Sequence, residues 1–286
     1  MKAFYWLLTL AASASVAIAQ PAGKSVKLVG IVGLDINCAI VEVTQTNYTS
    51  NHRARERTEQ FILGTNQTQS GVLVQSINVI KGTVSANVDG EARTLAFDSP
   101  KGAETTVKPS TIQLRGVKLQ RVIFLCGELK NRTVLQHPGL KDTGFTLTAN
   151  PQNKPDAAKA LEKLFASHEI AAIPDGDKFM LLVPCAFTNK VSPHSKDIAD
   201  EEPTVPALSV NFQNVPMQKV LEVYGEYIGY PVNNLQSSPF GLIHLVQENP
   251  LSKGQICYAM DTIFAWNGVD VILNNDHTSS WERIPE

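Results

Sequence analysis

Much of what would declare a chemistry is missing from this sequence. Only four of 286 residues are cysteine, too few for a disulfide framework, and none stands in the CxxC pairing of a zinc or dithiol site. Neither sign of charge dominates. With 25 Lys and Arg against 27 Asp and Glu, the net charge of −2 gives no electrostatic reason to expect a nucleic acid. GxSxG, HExxH, a Walker loop and a Gly-rich dinucleotide fingerprint are all absent. The six histidines (His52, His137, His168, His194, His244 and His277) never recur at i, i+4 on one helix. No catalytic residue, metal, cofactor or small-molecule substrate is therefore expected. A composition of 43% hydrophobic and 18% charged residues also disfavours disorder, collagen and coiled coil. Length allows two or three domains, each able to bury a core.

Long apolar runs are scarce as well. The one clear candidate is at the start, where Lys2 precedes Phe4–Ala19, 16 residues ending in Ala17-Ile18-Ala19. That is shorter than the roughly 20 residues of a bilayer span. The charged start and small-residue end predict a secretory signal (1–19), cut after Ala19, and a periplasmic destination. Export makes disulfides chemically accessible to Cys38, Cys126, Cys185 and Cys257, but pairing is not readable from spacing. Cys126 and Cys257 fall among apolar neighbours on helical stretches, the usual setting of a buried thiol.

What is present is a repeat. Two polar stretches, 98–108 and 188–206, divide the rest into blocks at 26–97, 109–187 and 207–286. Val117–Val134 laid over Val215–Val232, an offset of 98, gives six identities in 18 positions. They are Val117/Val215, Gln120/Gln218, Val122/Val220, Gly127/Gly225, Glu128/Glu226 and Val134/Val232. With one inserted residue the offset becomes 99, and Ala160, Phe165 and Ile173 match Ala259, Phe264 and Ile272.

Each copy reads strand, helix, strand, strand, helix and a closing hairpin. Leu119, Val122, Ile123 and Cys126 line one helical face, mirrored by Met217, Val220, Leu221 and Tyr224. Asn153 and Ser252 stand in matching N-cap positions before the second helix. Pro174-Asp175-Gly176-Asp177 and Asn274-Asn275-Asp276 are hairpin turns; the first lacks the alternating acids of a calcium loop. Thr111–Leu114 and Leu208–Phe212 read as opening strands. The first block shows short strands, Lys27–Ile31, Ala39–Val43, Phe61–Leu63, Val72–Ile77, Gly82–Val88 and Ala92–Phe97. Between them Tyr48–Gln60, rich in Arg and Glu, reads as a solvated loop. The expected class is α+β: an N-terminal small all-β sandwich or partial barrel, then two tandem βαββαββ-type sandwich domains, each two helices against one sheet. Glu128 and Glu226 are read as inherited fold positions beside Gly127 and Gly225, since a catalytic pair would be split between domains.

The repeat resembles the N-terminal periplasmic domains of secretins, and the short domain shared by secretins and TonB-dependent receptors. It is carried by VNFQNVPMQKVLEVYGEYIGYPV (Val210–Val232) and, more faintly, IQLRGVKLQRVIFLCGELKNRTV (Ile112–Val134). The later helix Ala157–Ser167 and IAAIPDGDKFMLLVP (Ile170–Pro184) extend the likeness over 109–286. The first block is similar to the homology region of the type II secretion clamp protein and of its pilus-assembly lipoprotein relative. LVGIVGLDINCAIVEV (Leu28–Val43) and Gly71–Phe97 follow that family's order, without a lipidation cysteine or a long β-rich pore region. The resemblance implies a non-enzymatic periplasmic scaffold of a type II secretion or type IV pilus-like system. It also implies a secretin or an inner-membrane platform protein as partner, and self-association. Competing readings are a TonB-receptor-type signalling module and an envelope hydrolase. Small sheets with unpaired edges are templates for strand addition. The candidate interface residues are thus Val72, Val74 and Ile77, Ile112 and Leu114, and Val210 and Phe212.

Overall fold

The computed structural model describes residues 23–33, 37–48, 54–97, 111–191, 193, 204–233 and 241–284. The predicted signal (1–19) and first linker (98–108) lie outside them, as does most of the second linker (188–206). The described chain is mixed α+β.

The first block is all strand: β1 (Gly23–Gly33), β2 (Cys38–Tyr48), β3 (Ala54–Gly64), β4 (Thr68–Gln69), β5 (Val72–Asn78), β6 (Thr83–Val88) and β7 (Glu91–Ala96). The charged stretch read as a loop is, over 54–60, part of the β2–β3 ladder, with Arg57 opposite Gln45 and Glu59 opposite Val43. Its residues Ala54–Thr58 are exposed, so no apolar alternation marks the strand. Gln60, only 3% exposed, fastens this strand to the start of the second block: its Oε1 accepts the Lys118 N–H at 2.9 Å.

The block does not close on itself. β1 also pairs antiparallel with β8 (Thr111–Val117), setting Gly30 opposite Leu114 and Gly33 opposite Thr111. With β10 (Phe145–Ala149) the resulting sheet runs β10-β8-β1-β2-β3. Leu28, Ile31, Ala39, Val41 and Phe61 pack toward the β4-β5-β6-β7 sheet. Val29, Val32, Ile40, Ile112 and Leu114 pack on helices α1 (Leu119–Lys130) and α2 (Lys154–Ser167). Coverage on both faces is why Leu28–Val32 is an almost unbroken apolar run.

The first unit continues through β9 (Thr133–Gln136), β11 (Ile170–Asp175) and β12 (Phe179–Pro184), which form the sheet β11-β12-β9. The sequence predicts one sheet per unit; the first unit's strands lie in two, with β8 and β10 joining β1, and the second unit's strands likewise lie in two separate pairs. A 3-10 helix, Cys185–Lys190, then occupies the start of the predicted second linker. The second unit runs β13 (Asn211–Pro216), α3 (Met217–Ile228), β14 (Leu242–Val246), α4 (Lys253–Trp266), β15 (Val269–Leu273) and β16 (Ser279–Arg283).

The two units agree in detail where side chains rarely tolerate the backbone. Gly116 and Asn214 are both left-handed, at φ 63° and 57°, each inside the bulge of its opening strand. Asn131 and Gly229, at 52° and 77°, close the first helices. Glu169 and Gly268, at 59° and 72°, follow the second helices. The parallel pairing of Val134 with Met180 recurs as that of Val232 with Ser279. These pairs keep the 98 and 99 spacings of the sequence. Both N-caps form: Asn153 Oδ1 accepts the Asp156 N–H at 2.9 Å, and Ser252 closes a capping box with Gln255.

A shared core docks the units. β12 is buried on both faces: Met180 and Leu182 join the first unit's helices, while Phe179 and Leu181, with Leu135, enter the second unit's core. Around it Thr133 Oγ1 bonds Asn249 Oδ1 at 2.6 Å and accepts the Glu248 N–H at 3.1 Å. Tyr258 donates to buried Asp175. All four cysteines are free thiols.

Candidate interaction site

The structure separates the three predicted edges sharply. Ile112 and Leu114, 1% and 0% exposed, lie on β8 between β1 and β10, so no edge is open there. Val72, Val74 and Ile77 lie on β5 between β4 and β6; Val72 and Val74 are fully buried in the first block's core. At Ile112 and Leu114, and at Val72 and Val74, the chain itself has taken the edge, whereas Ile77 lies past the two-residue β4, which pairs only with Val72 and Leu73. Val210 is buried and stands one residue before β13. Phe212 alone of the seven is on a strand with one partner: β13 pairs with β14 and, among the described residues, with nothing on its other side.

Glu128 and Glu226 are exposed, and the glycines beside them are buried for different reasons. A Cβ on Gly127 would come within 2.1 Å of the Glu248 carboxyl, whereas one on Gly225 would meet the Tyr230 carbonyl at 3.0 Å. The first glycine makes room for the other unit; the second makes room for its own chain reversal.

Beside β13 a crevice of about 190 Å3 opens between Asn211 and Gln213, His244 of β14, Glu248, Arg121 of α1 and Ile62 of β3. His244 Nδ1 and Glu248 Oε2 are buried there without a hydrogen-bond partner. Burial pushes the Glu248 carboxyl up to about 9, reinforced by Glu128 and opposed by the Val134 N–H. Burial, then Arg121, pushes His244 down to about 4. Burial also lowers Arg121, against the pull of Glu59. At neutral pH Glu248 therefore keeps its proton and His244 is neutral, which leaves Arg121 as the charge among the three. Neither neutral group titrates near pH 7, so they are poorly matched to acid–base exchange. The crevice is a mainly apolar hollow, walled by Ile62, Phe124, Val134 and Leu208 around these polar groups, and it flanks the outer edge of β13.

Sequence reading missed Glu248 and His244. Their counterparts at the 98 spacing, Asn150 and Thr146, are exposed. The burial comes from docking β14 and the segment after it against α1, a contact no local pattern records. Compared with protein-family models, curated proteins and solved structures, the chain shows no significant match to any.

Proposed function

We propose that this chain is a non-enzymatic periplasmic assembly component of a type II secretion or type IV pilus-like envelope machine, acting through protein–protein contacts. The repeated unit carries the reading. Two copies of a strand-helix-strand-helix-strand-strand order, in which the first unit's extra strand β9 is reduced in the second to a single bridge at Val232, share their left-handed positions and a parallel pairing, and they follow an all-β block. In the finer architecture, the block is a small sandwich or partial barrel. The units are tandem sandwich domains of the kind found at the N-termini of secretins. A shared core gives such a component a fixed shape on which surfaces can be presented to neighbours. The signal sequence and periplasmic location belong to the same proposal.

The experiment is to cross-link a tagged copy in its native envelope and identify what co-purifies. Recovery of a secretin or an inner-membrane platform protein is the expected result. Recovery of a TonB-type receptor, or of this chain alone, overturns the secretion assignment.

A further inference from the structure

We infer that the outer edge of β13 accepts an antiparallel strand from another protein, an uncharged extended segment paired as Gly30–Gly33 pairs with Thr111–Leu114. This rests on the assembly reading and names its contact.

The chain supplies the precedent. β1 lies against the outer edge of β8, with Gly30, Ile31, Val32 and Gly33 opposite Leu114, Gln113, Ile112 and Thr111. At the 98 spacing these four β8 positions correspond to Ser209–Phe212, and among the described residues nothing pairs with that edge. β8 begins at Thr111, whereas β13 begins at Asn211, two residues later than the corresponding Ser209. The two missing positions are those that β1 orders in the first unit.

The backbone polarity is right for addition. Val210 turns both groups inward: its N–H donates to Gln247 Oε1 at 3.2 Å and its C=O accepts the Gln247 N–H at 2.9 Å. Alternation along a strand then directs the Asn211 N–H and C=O to the outer side. Asn211 and Gln213 are exposed, and β13 carries no charge. Three other outer strands are guarded, β3 by Arg55, Glu56 and Arg57, β7 by Glu91 and Arg93, β16 by Glu282 and Arg283, whereas the shorter β4, β9 and β10 are uncharged like β13. Such charges oppose edge pairing, and β13 lacks them.

The surroundings define the occupant's chemistry. On the Phe212 side the added strand meets the second unit's apolar core, which calls for Val or Ile. On the Asn211 and Gln213 side it borders the crevice, where Ile62 and Leu208 stand beside Arg121 and His244, which calls for small uncharged residues. The chain's own β1 cannot serve, being held between β2 and β8.

The probe is a labelled, acetylated and amidated peptide with the uncharged sequence of Leu28–Gly33, added to the full chain. Anisotropy is expected to show saturable binding, and hydrogen exchange to slow at residues 209–213. Asn211→Lys with Gln213→Lys, both exposed, is expected to weaken binding at least tenfold with an unchanged unfolding midpoint. No binding, protection elsewhere, or equal affinity in the variant overturns the inference. Concentration-dependent dimerisation of the chain, with the same residues protected, replaces the foreign strand by a second copy and also overturns it. If the peptide fails while a secretin is still cross-linked, the edge is wrong and the assembly reading survives. The converse result removes the secretion partner and keeps the edge.

Discussion

In the first unit Leu135, Phe179 and Leu181 point from one sheet face into the neighbouring unit's core, while at the matching places the second unit has Asn233, Thr278 and Ser280. There the Asn233 amide donates to Thr278 Oγ1 at 2.9 Å, and that hydroxyl donates to Asp276 at 2.6 Å. The same inversion holds at the opening strands, β8 buried and β13 largely exposed. One backbone plan thus carries two surfaces. An apolar outer face continues a stack of units, and a polar one suits its terminal member. The second unit's outer edge is a separate feature, since capping the sheet face leaves β13, among the described residues, paired with β14 alone.

The largest expected effect comes from the face that docks. Phe179→Ala removes a fully buried ring packed against Tyr258 at 5.4 Å. It is expected to cost about 3–5 kcal/mol in urea denaturation. Thr278→Ala, at the matching place, loses only part-exposed hydrogen bonds and is expected to cost about 1 kcal/mol or less. Equal losses would mean that the two faces are energetically alike and the comparison fails.

The matched glycines give a smaller, more specific contrast. Gly127→Ala drives a methyl into the Glu248 carboxyl and is expected to cost about 1–3 kcal/mol. In a Glu248→Ala background that cost should shrink to about 0.5 kcal/mol or less, because the obstructing group is gone. Gly225→Ala, opposed by backbone, should cost the same with or without Glu248. Denaturant midpoints of the five variants, the three single substitutions and the two doubles, decide it; an unrelieved Gly127→Ala cost would show that Glu248 is not what the glycine accommodates.

Those residues also show how far the sequence could be read. Helical faces, N-caps and the repeat spacing were legible because they depend on neighbours within a turn or on comparing the chain with itself. The stretch Ala54–Gln60 was not, since an exposed strand carries no alternation to count. Ile112 and Leu114 were recognisable as strand residues, but not as residues of an inner strand. Their apolar run is equally compatible with an open edge and with β1 lying beside them, and only the long-range pairing discriminates. The crevice was invisible for the same reason: Glu248 and His244 acquire their environment from α1, more than a hundred residues earlier in the chain.

The last contrast is a pH dependence that the first unit lacks, since Asn150 and Thr146 do not ionise. An unfolded chain releases the Glu248 proton near the ordinary 4.5, the folded one near about 9. Between those values the folded state holds the extra proton, so stability falls as pH rises. For His244 the order is reversed: the unfolded chain binds its proton below 6.5, the folded one only below about 4. Across that window the unfolded state holds the extra proton, so stability rises with pH. The two slopes offset one another between about 4.5 and 6.5, leaving a net decline from about 6.5 to about 9. Glu248→Gln is expected to abolish the decline and expose the histidine's rise. His244→Gln is expected to let the decline begin two units lower, near 4.5. Urea midpoints measured across pH 4 to 9 test both. If Glu248→Gln declines as steeply as the parent above pH 6.5, the carboxyl is already ionised at neutrality. The crevice would then be a site of paired charges instead of a neutral hollow beside Arg121.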